Sequence, residues 1–83
     1  MRVLYFAWLR ERVGIPEETV TPPAEVRNVG ELVAWLRGRS PQHSAALADP
    51  AIVRVAVNQD YARPDHAVGP DDEIAIFPPV TGG

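Results

Sequence analysis

The sequence predicts an α+β domain in which one main helix lies across one face of a small β-sheet. Three observations carry this. An apolar run, Val3-Leu4-Tyr5-Phe6-Ala7-Trp8, opens the chain with strand-forming residues and is too short for a buried helix. A single apolar stripe at helical spacing, Val29, Leu32, Val33 and Leu36, follows a capping residue, Asn28. Two later runs, Ile52 to Asn58 and Glu73 to Phe77, alternate with the period of a pleated strand.

Taken in order, the first strand is predicted over Arg2 to Trp8, with Val3, Tyr5 and Ala7 on one face and Leu4, Phe6 and Trp8 on the other. Both faces are apolar, and so short a chain has little with which to cover the second, which points to a partner-facing surface. Leu9 to Val13 suits one helical turn closed by Gly14. Glu17 to Thr21, bounded by Pro16 and by Pro22-Pro23, is a short second strand hairpinned to the first.

The main helix starts at Asn28, with Glu31 completing a capping box, and stops at Gly38. Trp35 lies off its stripe and is expected to cover an edge of the core. Ser40-Pro41 signals a short helix running to Ala48. In the Ile52 to Asn58 strand, Val55 and Val57 are core residues; Gln59-Asp60 then turns the chain into a brief edge strand at Tyr61-Ala62, stopped by Pro64. Gly69-Pro70-Asp71-Asp72 forms the turn into the last strand, where Ile74 and Ile76 share the core face and Phe77 looks the other way.

Eighty-three residues, 46% of them apolar, make a single domain over 1–83 with one core. The chain has no cysteine, which excludes disulfides, thiolate metal sites and cysteine nucleophiles. A net charge of −3 argues against a nucleic-acid binder, and all eight basic residues are arginine, so no side-chain amine is available for acylation. No apolar run approaches the roughly eighteen residues of a membrane span and no basic-then-apolar leader opens the chain, so a cytoplasmic location is expected. Glu17-Glu18 and Asp71-Asp72-Glu73 are read as solvated turn charges, and His43 and His66 as surface residues without a triad partner. Phosphate-binding glycine loops are missing as well. Neither a metal nor a cofactor is expected on this chain.

The chemistry is expected at the end, Phe77-Pro78-Pro79-Val80-Thr81-Gly82-Gly83. Two prolines have no N–H for a ladder and send the residues beyond Phe77 along an extended path. Glycine lacks a Cβ, so Gly82 and Gly83 suit a channel too narrow for other residues. Thr81 to Gly83, fully extended, reaches about 10 Å beyond Val80. Residues 78–83 thus read as a tail that delivers the Gly83 carboxylate into another protein's pocket. Phe6 and Phe77 lie beside it on the outer sheet face as candidate docking anchors.

Three segments resemble a known family: Val3-Leu4-Tyr5-Phe6-Ala7 with Leu9-Arg10-Glu11 and Gly14; Val55-Ala56-Val57-Asn58-Gln59; and Asp72-Glu73-Ile74-Ala75-Ile76-Phe77-Pro78-Pro79-Val80-Thr81-Gly82-Gly83. They are similar to the MoaD family, the ubiquitin-like sulfur-carrying small subunit of molybdopterin synthase. The resemblance implies a β-grasp fold, a mixed sheet of four to five strands in which the last pairs parallel to the first. It implies a cycle in which an E1-like, MoeB-like enzyme uses ATP to adenylate the Gly83 carboxylate, sulfur is installed as a thiocarboxylate, and the carrier docks on a MoaE-like large subunit in a heterotetramer. There precursor Z, cyclic pyranopterin monophosphate, becomes the dithiolene of molybdopterin. The ATP belongs to the activating partner, and this chain supplies the sulfur. By the same resemblance the partner-facing residues are Phe6, Tyr61 and Phe77, followed by the tail residues Pro78, Pro79, Val80 and Thr81 ahead of Gly82 and Gly83. Asp71 stands where the family often has glycine, which implies some strain in that turn, and Tyr61 stands where an aliphatic residue is common. The alternatives are a sulfur carrier for thiamine or tRNA thiolation, and a non-catalytic interaction module.

Overall fold

The computed structural model describes residues 1–79. Five strands, β1 (Arg2–Tyr5), β2 (Glu17–Thr19), β3 (Arg54–Val57), β4 (Asp60–Ala62) and β5 (Glu73–Phe77), form one sheet in the order β2-β1-β5-β3-β4. The central pairing, β1 with β5, is parallel and sets Val3 against Ile74 and Tyr5 against Ile76; the other pairings are antiparallel. This is the mixed β-grasp sheet expected from the resemblance. A chain that returns its last strand parallel to its first needs a long crossover, and here the helices supply it.

Three helices, α1 (Ala7–Val13), α2 (Val29–Arg37) and α3 (Pro41–Ala46), cover one sheet face: the expected main helix is α2, and the helical turn and the short helix expected before and after it are α1 and α3. Strand alternation sends Val3, Tyr5, Val53, Val55, Val57, Ile74 and Ile76 to that face, where they pack with Leu9, Leu32, Leu36 and Leu47. Asn28 Oδ1 accepts from the Glu31 backbone N–H at 2.8 Å, as the capping motif predicts. The return bond differs: the Glu31 carboxylate accepts from the Arg27 N–H, one residue before the cap. Trp35 is half-buried against the core edge and carries the Arg39 guanidinium 5.0 Å from its ring centroid.

Several boundaries move. The first strand ends at Tyr5 rather than Trp8, because Ala7 takes φ 54° and starts α1, so Trp8 belongs to a helix. That helix exceeds one turn and closes on Gly14 at φ 94°, a left-handed position that glycine occupies without strain. Strand β3 begins at Arg54 because Pro50–Ile52 forms a 3₁₀ turn capped by Asp49. The strain expected at Asp71 is not found: the non-glycine residues with positive φ among those described are Ala7, Asn58 and Gln59. Asp72 instead holds that turn, accepting from the Gly69 N–H at 2.7 Å and from Asn58 Nδ2 at 2.9 Å.

Candidate functional site

The sheet face turned away from the helices is built by β1, β5, β3 and β4. Along β5 the core face takes Ile74 and Ile76, which leaves Ala75 and Phe77 on the free face. Register then places Leu4 and Ala56 beside Ala75, Arg54 beside Phe77 and Tyr61 beside Ala56. Two positive-φ residues, Asn58 and Gln59, make the tight hairpin that brings β4 back along β3 and so sets Tyr61 in place. The middle of the face is therefore low, floored by alanines, and its end is raised by two rings.

Those rings form the recognisable feature. Tyr61 and Phe77 stand with centroids 5.7 Å apart, tilted by 39°, and Tyr61 is 82% exposed. With Arg54 they border a groove of about 340 Å³. Phe6 follows Tyr5 in extended backbone and donates its N–H to the Ile76 carbonyl at 3.0 Å, which stations it beside Phe77 at the same edge; its side chain is 46% exposed and enters no ring pair among the described residues. Pro78 and Pro79 are half-buried as they continue from β5. Val80, Thr81, Gly82 and Gly83 lie outside the described residues.

A second polar cluster was missed in the sequence. His43, expected on the surface, is buried, and Glu18, expected as a solvated charge, is half-buried beneath it. Glu18 Oε2 accepts from His43 Nε2 at 2.6 Å and from the Tyr5 hydroxyl at 2.7 Å, while Arg39 lies 3.2 Å from Oε1. Burial alone pushes the Glu18 carboxyl up, but hydrogen bonds from His43 and Tyr5 and the nearby cationic charge outweigh it and leave the carboxyl below its ordinary range. An ionised Glu18 only accepts, so the His43 Nε2 carries the proton. Burial first, then the Glu18 bond, raises the Tyr5 hydroxyl far above its ordinary value. The ring edge of His43 also meets Tyr5, with centroids 5.9 Å apart.

Ser40 Oγ lies 2.7 Å from His43 Nδ1, so the order serine, histidine, acid has the outline of a hydrolytic triad. Its role is structural. The same Oγ caps α3 by accepting the His43 backbone N–H at 3.0 Å, and none of the three residues lines the groove beside Phe77 or either of two further surface cavities among the described residues. A usable signal existed: Ser40 and His43 sit three apart at a helix start, and alternation in β2 turns Glu18 inward while Glu17 faces out to pair with Arg2 at 2.7 Å. Among the described residues no group of three or more His, Cys, Asp or Glu could hold a metal ion, and no helix is long and apolar enough to cross a membrane.

Helices on one face of a mixed five-strand sheet, a parallel β1–β5 pair at its centre and a free aromatic face define a ubiquitin-like β-grasp protein. Comparisons with known proteins name the lineage. The model of the ThiS family matches residues 3–83, and the chain belongs to that family. It is 39% identical over 83 residues to the molybdopterin synthase sulfur carrier subunit of Escherichia coli (strain K12), covering 100% of this chain and 99% of that protein. The Homo sapiens protein of the same name is 34% identical over 87 residues, covering 100% of this chain and 93% of its own length. Among solved structures, SAMP1 from Haloferax volcanii superposes with a TM-score of 0.76 at 29% identity, over 100% of this chain and 98% of that one. A putative molybdopterin converting factor, subunit 1, from Pyrococcus furiosus gives 0.77 at 29% identity over 95% of each.

Proposed function

We propose that this chain is the sulfur carrier subunit of a molybdopterin synthase, acting in the cytoplasm. One observation carries the reading: Phe77 is at once the last residue of β5, half of the aromatic pair on the free face, and the residue from which the Pro78-Pro79 segment departs toward Gly83. A partner that seats Tyr61 and Phe77 lies beside the residue from which that segment leaves the sheet. Full-length similarity to relatives named as sulfur carrier subunits supports the same conclusion.

In this reading the body is an inert handle. An E1-like enzyme spends ATP on the Gly83 carboxylate, forming an acyl-adenylate and releasing pyrophosphate. A protein-bound persulfide sulfur then displaces AMP to give an acyl disulfide, and attack by a second thiol on its S–S bond frees the thiocarboxylate as a new disulfide forms. The carrier next docks through Phe6, Tyr61 and Phe77 on the large subunit, within a heterotetramer. Pro78, Pro79, Val80 and Thr81 line the way in, with Gly82 and Gly83 deepest. There the thiocarboxylate sulfur bonds to a carbon of precursor Z as an oxygen substituent leaves, and water cleaves the resulting thioester, freeing the new thiolate and returning Gly83 to the carboxylate. The chain itself holds no cofactor.

Intact mass of the chain from its native host tests this. Exchange of one C-terminal oxygen for sulfur is the expected result; a host lacking the activating enzyme should yield only the carboxylate. The solved neighbours named small archaeal modifier protein 1 favour a second reading, in which the Gly83 carboxylate is ligated to an amine on another protein. That reading predicts adducts bearing this chain's C-terminal peptide on target lysines. The chain itself contains no lysine and would not extend into lysine-linked polymers.

A further inference from the structure

Between α2 and the β3–β4 edge of the sheet lies a groove of about 440 Å³. Its floor is apolar: Val33 and Ala34 from the helix, Val53, Val55 and Ala62 from the strands. Its rim is cationic. Arg37, Arg54 and Arg63 all border it, all three are exposed, and no acidic side chain lines it. Among the described residues none of these arginines forms a salt bridge, whereas Arg2 and Arg39 do. A chain with eleven acidic residues against eight arginines has thus gathered three of those arginines around one apolar trough.

The charges are spaced along the trough. Arg63 belongs to the Gly30 end, where the Gly30 N–H donates to the Pro64 carbonyl at 2.9 Å and the Val29 N–H to the His66 carbonyl at 3.0 Å. A Cβ on Gly30 would meet Pro64 at 3.4 Å, so glycine permits this close approach of helix and loop. Arg54 stands across from Arg63, one step beyond the Val55–Ala62 pair of the β3–β4 ladder, and Arg37 lies at the other end of the helix wall. Seven helical steps from Gly30 to Arg37 span about 10 Å. Backbone hydrogen bonds hold one wall and the helix holds the other, so the trough is largely preformed.

We propose that this groove docks an acidic amphipathic helix of a partner protein, with two or three apolar side chains on the Val33–Val55 floor and carboxylates at both ends, opposite the Arg54–Arg63 pair at one and Arg37 at the other. About 10 Å corresponds to two helical turns, which matches apolar residues at i, i+3 or i+4, and i+7 flanked by acids. The groove meets the cleft beside Tyr61 and Phe77 at the β3–β4 edge, where Arg54, Val55 and Ala62 line both. The inference is independent of the fate of Gly83.

The test is a titration of the full isotope-labelled chain with a synthetic acidic amphipathic helix of about 14 residues, followed by amide chemical shifts at low and high salt. Saturable shifts are expected at Val33, Ala34, Val53 and Ala62, weakening with salt. The charge-reversed pair Arg37→Glu and Arg63→Glu should lower affinity by about tenfold or more at an unchanged melting temperature, both residues being exposed. A control peptide with lysine at the acidic positions should not bind. Shifts confined to the Tyr61–Phe77 face, equal binding of the control, or no shift at about 1 mM peptide would overturn the proposal. So would the same shifts arising on concentrating the chain alone, which marks a second copy as the occupant, or shifts produced by vesicles of anionic lipid but not by the peptide.

Discussion

Tyr61 and Phe77, from strands that flank β3 on either side, bring their ring centroids to 5.7 Å on the face the helices leave open. Neither ring is needed to close the core, since Ile74 and Ile76 fill it from the opposite side of β5. The pair is therefore available to a partner at little cost to folding. Phe77→Ala should weaken binding to the large subunit by about 1–3 kcal/mol, measured by calorimetry, while the melting temperature changes little. A collapsed melting temperature would mark Phe77 as a core residue and remove it from the docking face.

Deleting Gly83 separates delivery from docking. The shortened chain should bind the large subunit with unchanged affinity, because the aromatic face is intact, yet support no sulfur transfer in a reconstituted assay. A fully active deletion variant would show that the terminal carboxylate carries nothing.

Glu18 joins β2 to α3 by accepting from Tyr5 and His43. Removing it strands a buried hydroxyl and a buried ring N–H, each costing about 1–3 kcal/mol when unsatisfied. Glu18→Ala should lower the melting temperature by about 4–8 °C for each kcal/mol lost. His43→Ala should destabilise too, by breaking the same clasp and opening space beside Tyr5.

Glu18 and Tyr5 are the more buried groups through which pH acts on stability; the more exposed Glu17 and Asp72, also lowered, add to the acid flank. Glu18 is held below its ordinary value of 4.5, so the folded state binds fewer protons there than the unfolded chain. Its stabilisation is present above pH 4.5 and is lost as pH falls through the lower folded value. Tyr5 is displaced the other way from 10.0, so its contribution is intact below pH 10.0 and is lost as pH rises beyond it. Chemical denaturation across pH should show both flanks; Glu18→Gln should flatten the acid one and Tyr5→Phe the alkaline one.

The β3–β4 hairpin places Gln59 at φ 73°. Left-handed backbone costs a residue with a Cβ roughly 1–2 kcal/mol relative to glycine, and asparagine followed by glycine is the preferred pair for this turn. Gln59→Gly should therefore raise stability by about 0.5–1 kcal/mol, read as a shift in the denaturation midpoint. A loss would show that the Gln59 side chain holds the turn by contacts of its own.

Local signals made much of the fold legible. Asn28 and Glu31 three residues apart marked the start of α2, the alternation of Val55, Val57, Ile74 and Ile76 marked the core face, and Pro78 marked the end of β5. Each is decided within a helical turn or a strand pleat, so neighbouring residues suffice. The end of β1 was misjudged because Phe6, Ala7 and Trp8 are as apolar as the strand before them, and nothing local reveals the left-handed φ of Ala7.

By itself the sequence determined the order of strands and helices, the residues that must be buried, and a proline-led segment ending in two glycines. The parallel pairing of β5 with β1 followed from the resemblance that the sequence carries, but only the tertiary structure decided that Tyr61 meets Phe77, that Arg37 and Arg63 border one groove, and that His43 reaches Glu18 across 25 residues. Side-chain direction follows from periods of two and 3.6 residues and is written locally. Which distant faces meet depends on how the whole chain closes its core, and no short stretch carries that information.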